Sequence, residues 1–326
     1  YASGLRNIYD VAVDPCINIV TRDNTTDGGG WNVRFSHIIG GKAEYGYPKY
    51  YNNFPEDMVP CLEDYGGGSG VGSLAVYEPD TFPGKFGHTI YTADWGTSKV
   101  YWHDLKSNGP SFEPKQSEFV GVGKVSDLAI DGLGSMFVTA FGSDYQYGED
   151  RGDVYQLKSN QSVSSIGLDN IKELAPQALI ELFKTKSHTV HQNLQFEILR
   201  RGQSDELVVG LQSIVKNAKL ELIHRIAALF TLKQLTGVES HLFLGSLLED
   251  NLLREYAIKA LADRKTQLKN IPELDIITFA EDPNPRVRMQ VAIALGRIGG
   301  VNSVEALLGM TNDNEPLVQH LSLIHI

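Results

Sequence analysis

Residues that could take part in catalysis or bind a metal ion or a phosphate group are scattered along this sequence. Cys16 and Cys61 have neither CxxC nor metal-ligand spacing, so they are two thiols or one disulfide. We expect two buried thiols, because the sequence gives no geometry for a bridge. His88 and His103 lie in strand-like segments without partners at ligand spacing, which favours structural roles. Residues 66–72 have GxGxxG-like spacing but precede a strand, which argues against a phosphate-binding loop.

Three polar turns follow one another near the N-terminus. They are an Arg-Asn turn, a Gly-rich loop with two aspartates and an asparagine, and a Tyr-Gly-aromatic-Pro turn, at residues 4–7, 21–30 and 41–48. Side chains of these types commonly hold turns through hydrogen bonds to the backbone, and that structural interpretation stands beside any functional one. The side chains concerned are Arg6, Asn7, Asp23, Asn24 and Asp27.

The order of these turns resembles the soluble sugar dehydrogenases that bind pyrroloquinoline quinone (PQQ), and residues 82–101 fit the same family. The segment looks more like the dehydrogenase-like propellers of planctomycete-type bacteria, which are fused to HEAT repeats and often to a c-type cytochrome with a CxxCH haem motif. This resemblance spans about residues 1–157. It implies a β-propeller that oxidises a sugar or an alcohol, with electrons passing to a haem domain absent from this sequence.

The resemblance assigns the cofactor-binding role to three residues. Arg6 and Asn7 match the family's cofactor-facing Arg-Asn pair, and Lys124 takes the place of an arginine that precedes a strand. A quinone with three carboxylates needs cations and amide donors of this kind. Two family positions differ, because Gly96 stands where the family has a lysine and Ser126 replaces a second arginine.

The resemblance also assigns a metal site. Asp23, Asn24 and Asp27 lie where the family supplies its Ca²⁺ ligands, and their oxygen atoms are of the type that Ca²⁺ prefers. The family's Asp-Asp-Glu cluster is not present in this loop, and a plain turn is the alternative. The catalytic residue, a histidine acting as general base, is expected upstream of Tyr1.

The bulk composition excludes some classes of function. The chain has 326 residues, a net charge of -11 and 42% hydrophobic residues. The acidic charge argues against sequence-independent binding of nucleic acid, which needs a basic surface. The sequence has no apolar run near the ~20 residues of a membrane span. It begins without Met or a signal peptide, so we expect a fragment.

Segments in which apolar and polar residues alternate, as is typical of β-strands, dominate the N-terminal half. The phrases DVAVDP at residues 10–15 and DLAIDG at residues 127–132 each read as a strand followed by a turn. Residues 22–70 show little periodicity and are expected to form a long loop region. The strands amount to about two or three propeller blades, and the remaining blades should lie upstream. They are predicted near residues 8–21, 72–76, 88–93, 99–104, 118–122, 126–130, 136–140 and 153–157.

Paired helices dominate the C-terminal half and resemble HEAT repeats. A polar residue recurs about every thirty residues in the second helix of each predicted pair, which gives about five units. In the clearest unit, Asp282 is expected to cap a helix and Pro285 fits its first turn. The arginines among these polar anchors are expected to bond to neighbouring repeats. The anchors are His191, Arg225, Arg254, Arg288 and Gln319.

The sequence therefore predicts a multidomain β + α chain: a partial β-propeller and an α-solenoid of HEAT-like repeats. The leading prediction is the propeller of a periplasmic or cell-surface PQQ-type dehydrogenase, with possible Ca²⁺ and a sugar or alcohol substrate. The alternative is a non-catalytic scaffold that binds carbohydrate or protein partners. The predicted segments are 1–158 (propeller), 159–167 (linker), 168–321 (solenoid, open to a protein partner) and 322–326 (non-native tail).

Overall fold

A computed structural model describes residues 1–24, 32–47, 58–66, 68–82, 84–141, 152–160 and 168–326. The N-terminal half is built from β-strands and the C-terminal half from α-helices. The strands are β1 (Ala2–Ser3), β2 (Ala12–Val13), β3 (Ile19–Asn24), β4 (Val33–Ile38), β5 (Ala43–Glu44), β6 (Glu63–Tyr65), β7 (Gly70–Tyr77), β8 (His88–Asp94), β9 (Lys99–Asn108), β10 (Ser111–Gly121), β11 (Val125–Ile130), β12 (Ser135–Ala140) and β13 (Asp153–Lys158).

Three antiparallel sheets lie side by side like the blades of a propeller. Their strand orders are β2-β3-β4-β6, β7-β8-β9-β10 and β11-β12-β13, while β1 and β5 form a separate parallel pair. Strand β7 lies against β3 on one side and β11 on the other. Apolar side chains fill the space between neighbouring sheets, including Phe35 with Ile90 and Val76 with Val138. This arrangement confirms the predicted partial propeller followed by helices.

The prediction of a long loop over residues 22–70 is wrong. Strand β3 continues to Asn24, and β4, β5 and β6 follow within that range. In β4, whose sequence is VRFSHI, charged and polar residues stand among the apolar ones, although the whole strand is buried. The sequence pattern therefore does not predict a buried strand there. Arg34 and Ser36 are therefore interior residues, whereas the alternation rule expects polar side chains of a strand to face water.

The strand predicted near residues 118–122 is only the last part of a longer strand. It is the end of β10, which forms a long hairpin with β9 and is the outer strand of the second sheet. None of the residues of β10 is buried, many of them are polar, and the strand contains Pro114, which sheets accept on an edge strand. The apolar periodicity that identifies strands is weak there for that reason.

Within the described residues, the helices form five consecutive pairs, in agreement with the prediction of about five units. Each polar anchor lies in the second helix of its pair. Small residues at the helix crossings, such as Ala228 and Ala257, are fully buried and let successive pairs pack closely. The helices are α1 (Pro176–Leu182), α2 (His188–Arg201), α3 (Asp205–Lys216), α4 (Leu222–Thr236), α5 (His241–Gly245), α6 (Arg254–Leu261), α7 (Glu273–Ile277), α8 (Pro285–Ile298), α9 (Val301–Met310) and α10 (Pro316–His325).

A ladder of ion pairs links successive pairs of helices. In three repeats, the anchor arginine bonds to an aspartate in the turn of the next repeat, at N–O distances of 2.5, 2.7 and 2.6 Å. This confirms the expected bonds between neighbouring repeats. The pairs are Arg225 with Asp250, Arg254 with Asp282, and Arg288 with Asp313.

The cap of helix α8 differs from the prediction. The side chain of Asn284 accepts a hydrogen bond from the Arg286 amide and is the N-cap, and Pro285 occupies the first turn as expected. Asp282 instead accepts the Asn284 amide at 2.8 Å and pairs with Arg254. The sequence cannot distinguish two capping-type side chains two residues apart, because both suit the position.

The sheets and the helices share one hydrophobic core. Ile38, Ile39 and Tyr45 of the first sheet and its following turn belong to the same buried cluster as the helices. Polar contacts reinforce this junction: Arg286 of α8 reaches Asn18 Oδ1 at 2.6 Å, and Glu78 accepts the backbone amide of Thr189 at 2.7 Å. None of the helices in the described ranges is long and apolar enough to cross a membrane.

Candidate functional site

One edge of the three sheets gathers the residues that were singled out from the sequence. Asn24 ends β3, Gly70 begins β7, Asp94 ends β8, and Lys124 directly precedes β11. In antiparallel sheets of this order, these strand ends lie at the same edge. We call this edge, from Arg6 to Lys124, the strand-end edge.

Hydrogen bonds join the strand-end edge from one sheet to the next. The side chain of Asn24 accepts the Gly70 amide at 2.9 Å and donates to Ser69 Oγ at 3.3 Å. The Ser69 amide donates to Asp94 Oδ1 at 2.9 Å. Lys124 is joined to the β8–β9 turn, because its amide donates to Ser98 Oγ at 3.1 Å. A continuous path of short contacts thus spans all three sheets.

Arg6 and Asn7 lie at the same edge. The Arg6 amide donates to Asp23 Oδ2 at 3.0 Å, and the Asn24 amide donates to the Arg6 carbonyl at 3.2 Å. The Arg6 guanidinium lies 5.6 Å from the centre of the Tyr47 ring. Asn7 has a φ of 48°, in the left-handed region that few residue types other than glycine adopt readily. The structure therefore brings the Arg-Asn turn next to the predicted metal-binding loop.

Lys124 sits at the far end of the path. Its ammonium group lies 4.1 Å from the centre of the Trp95 ring, a cation–π contact. Its φ of 51° is again left-handed. Backbone conformations of this kind cost free energy and persist where surrounding contacts impose them. The side chain is therefore positioned by the turn and by the indole.

Asp23 is held in a buried ion pair. Its carboxylate accepts bonds from Arg34 Nη2 at 2.6 Å and Arg34 Nε at 3.1 Å, besides the Arg6 amide, and it is fully buried. Burial raises the pKa of Asp23, and the bonds from Arg34 oppose that rise. Asn24 uses its amide oxygen for Gly70, and Asp27 lies outside the described residues. The predicted metal set stays a prediction.

The described part of the chain contains no group of three or more His, Cys, Asp or Glu side chains that could hold a metal ion. For Asp23, the two carboxylate oxygens already have donors, so a Ca²⁺ ion there would compete with Arg34. A buried charge that loses its partner costs several kcal/mol, about 3–5. Asp23 and Asn24 as they are arranged do not fit a calcium ion.

A second buried ion pair at this edge was not foreseen. Arg22 Nη2 bonds to Asp94 Oδ2 at 2.8 Å, and both side chains are almost fully buried. Arg22 also donates to Thr92 and Gln116, and it lies between the rings of Tyr65 and Tyr101, 5.2 and 5.0 Å from their centres. The signal in the sequence was a pair of arginines, Arg22 and Arg34, inside two strands.

The strand histidine nearest this pair has a structural role, as predicted. The His103 ring stacks on Phe35 with centroids 4.1 Å apart, and its Nε2 contacts Thr92 Oγ1 at 2.8 Å. Burial and the charge of Arg22 lower the pKa of His103 well below its ordinary value, so the ring is neutral. Both cysteines are free thiols, as expected, although each is half-buried rather than buried.

Comparisons with known proteins cover parts of the chain. Residues 223–324 match the family model of HEAT repeats. A 111-residue segment is 27% identical to deoxyhypusine hydroxylase of Danio rerio and corresponds to 34% of this chain and 36% of that protein. The chain thus spans about a third of that relative, and its helical half is similar to HEAT-repeat proteins.

Two solved structures overlap with nearly half of the chain. The PQQ-bound aldose sugar dehydrogenase of Streptomyces coelicolor is 13% identical, with a TM-score of 0.39, over 48% of this chain and 45% of that one. A Thermus thermophilus oxidoreductase described as a glucose dehydrogenase is 16% identical, with a TM-score of 0.39, over 47% and 46%. An overlap at that TM-score carries no argument about function.

Proposed function

We propose that the β-sheet half is the propeller of a PQQ-type dehydrogenase-like protein and that the strand-end edge holds the quinone. The observation that carries this proposal is the hydrogen-bonded path from Arg6, which Asn7 follows in the chain, to Lys124. It sets two cations and one amide at one edge of three neighbouring blades. Recognition of a tricarboxylate needs this combination of donors.

The residues of the strand-end edge would divide the work of binding. Arg6 can hold one carboxylate through its planar guanidinium, Lys124 can hold another as a point charge, and Asn7 can donate an amide hydrogen bond. PQQ, when bound, supplies the two-electron oxidation of a hydroxyl group to a carbonyl. The acids Asp23 and Asp94 are paired with Arg34 and Arg22 inside the sheets.

Calcium has no part in this proposal. Asp23 bonds to Arg34, and Asn24 bonds to Ser69 and Gly70, so a metal ion would have to displace these partners. The general base would lie upstream of Tyr1, and a haem domain beyond this sequence would accept the electrons. A periplasmic or cell-surface location and a sugar or alcohol substrate belong to the same proposal.

Titration of PQQ into the purified chain tests the proposed site. We expect binding that weakens about tenfold or more in Arg6→Gln and in Lys124→Gln, because each variant removes one charge-assisted hydrogen bond. Lys115→Gln is the matched control, since Lys115 is exposed on β10. Addition of a calcium chelator should leave the affinity unchanged. The proposal is wrong if the wild-type chain does not bind PQQ, or if all three variants bind it equally.

A second candidate function is a non-catalytic scaffold that binds carbohydrate or protein partners. The observation that favours it is the shared core, in which the first sheet and the helices of the solenoid pack as one body. Solenoids use extended surfaces to bind partners, and a propeller fixed to one would present both surfaces together. A chain that binds an immobilised oligosaccharide but not PQQ would favour this function over the dehydrogenase.

A further inference from the structure

A cavity lies at the junction between the first sheet and the solenoid, away from the strand-end edge. Its volume is about 290 Å³, near the lower end of the range for ligand pockets. Helices α4, α6 and α8 form one wall, and the turn before β3 together with the end of β4 forms the other. We call it the junction cavity. Most of its lining is apolar, including Ile17, Ile19, Ile39, Phe230, Met289 and Ile293.

Gln290 is a polar side chain on α8, in the helical wall of the junction cavity. It is 6% exposed and lines the junction cavity. Its amide makes no hydrogen bond to any residue within the described ranges. Buried amides are normally paired, because an unpaired one costs stability. Its donor and acceptor are therefore available to a molecule inside the cavity.

Arg297 also has unused donors at the junction cavity. It donates through Nη1 to the carbonyl oxygens of Ala262 and Asp263, at 2.6 and 3.3 Å. No acceptor among the described residues bonds to its Nε or Nη2. A Cβ atom added at Gly40 would lie 3.4 Å from Arg297 Nη2, so this nitrogen lies beside the backbone of the cavity wall at Gly40. The guanidinium thus presents two N–H groups in the geometry that suits a carboxylate.

Lys259 supplies a second cation. Its Nζ donates to the Ile17 carbonyl at 2.7 Å, which uses one of its three N–H donors. Burial lowers the pKa of Lys259 to about 8, so most of it is charged at neutral pH. The neighbouring Asp263 lies 3.6 Å from Lys233 Nζ, and that cation offsets its charge. Burial and nearby cations lower the pKa of His37 to about 3, so this ring adds no charge.

We propose that the junction cavity binds a small organic carboxylate, with the carboxylate held by Arg297 and Lys259, its apolar body packed on the isoleucines, and Gln290 as a further hydrogen-bonding group. The cavity volume limits the ligand to less than drug size. Among the charged residues that line the cavity, two are cations and one, Asp263, is an acid, which favours an anion over an amine, and the apolar lining disfavours a free sugar. This site is independent of PQQ binding, because it shares no residue with the strand-end edge.

Isothermal titration of the whole chain with octanoate, octanamide and octylammonium tests the proposal. These probes have the same apolar body and differ only in the head group. We expect the wild-type chain to bind octanoate at least about tenfold more tightly than octanamide, and to bind octylammonium weakest. This comparison needs no variant. Equal affinity for octanoate and octanamide, or no binding of octanoate, would overturn the proposal.

Two variants separate the binding role from a structural one. Arg297→Gln should weaken octanoate binding about tenfold or more and leave octanamide binding unchanged, whereas Lys219→Gln, at an exposed position, should change neither. Gln290→Leu should weaken both ligands, because it removes a hydrogen-bonding group from the cavity wall. The proposal is wrong if Arg297→Gln binds octanoate as tightly as Lys219→Gln does.

Discussion

The ion-pair ladder predicts a large loss of stability when Arg254 is replaced by methionine. Arg254 Nη1 bonds to Asp282 Oδ2 at 2.7 Å, and the two side chains are 14% and 2% exposed. Its Nε also donates to the Leu248 carbonyl at 2.6 Å, and the guanidinium lies 4.3 Å from the centre of the Phe279 ring. Methionine keeps much of the apolar packing, so the main consequence is a buried carboxylate without its cation.

The expected cost follows from burial. Removing one partner of a buried pair typically destabilises a protein by about 3–5 kcal/mol, and slight exposure of Arg254 places this case near 3 kcal/mol. The matched control is Lys99→Met, which breaks the pair with Glu118, where the side chains are 40% and 51% exposed. An exposed pair of this kind contributes little to stability, because water and salt screen the attraction. The two variants therefore differ mainly in where the broken pair lies.

Urea unfolding followed by helical circular dichroism measures both costs. We expect Arg254→Met to lower the free energy of unfolding about threefold more than Lys99→Met does. The double variant Arg254→Met with Asp282→Asn should recover part of the loss, because the stranded charge is gone and the asparagine can still accept the Asn284 amide. Equal losses in the two single variants, or no recovery in the double variant, would refute the reasoning.

Three further predictions follow from buried groups and from the chain's organisation. The bonds from Arg200 and Arg201 lower the pKa of Glu197 from 4.5 to about 2, and burial lowers the pKa of His37 from 6.5 to about 3. At these two residues the unfolded chain therefore binds more protons than the folded chain, so the free energy of unfolding should fall as the pH drops from 6.5 toward 2. A free energy of unfolding that does not change over this pH range would contradict the prediction. Burial raises the pKa of Cys16 and Cys61 to about 11, so iodoacetamide should modify both slowly in the native chain and rapidly in urea, as mass spectrometry would report. Limited proteolysis should cut first within residues 157–168, whereas early cuts within 225–300 would contradict the predicted linker.

The solenoid could be predicted well because its signal is local. Each repeat carries its own helical period and its own polar anchor, so residues such as Arg225 and Arg288 identify the second helix without knowledge of the rest of the fold. The partners of these anchors, Asp250 and Asp313, lie only 25 residues further on, in the next repeat. Repetition turns a tertiary contact into a short-range pattern in the sequence.

The β-sheet half was harder to predict because its polar interior depends on pairs far apart in sequence. Arg22 and Asp94 are separated by 72 positions, and nothing near either residue indicates the other. Gly70 is informative only after folding: a Cβ atom there would lie 2.7 Å from Arg22 Cγ, so the glycine admits the buried arginine. The pairing of Arg34 with Asp23 is likewise visible only in the folded chain, and it uses the carboxylate that was predicted from the sequence to bind a metal ion.

These internal ion pairs decide how the strand-end edge should be judged as a site. An acid that is fully buried and bonded to an arginine helps to fix how the sheets are arranged. It has lost its contact with water, at a cost in free energy that an exposed ligand-binding acid does not have. Asp23 and Asp94 are of this kind. Under the proposed function, binding at this edge would depend on Arg6 and Lys124, whose backbone amides donate to the Asp23 carboxylate and to the Ser98 hydroxyl. The paired acids thus help to position the binding cations, and substitutions of Asp23 should disturb the placement of Arg6 before they affect any metal.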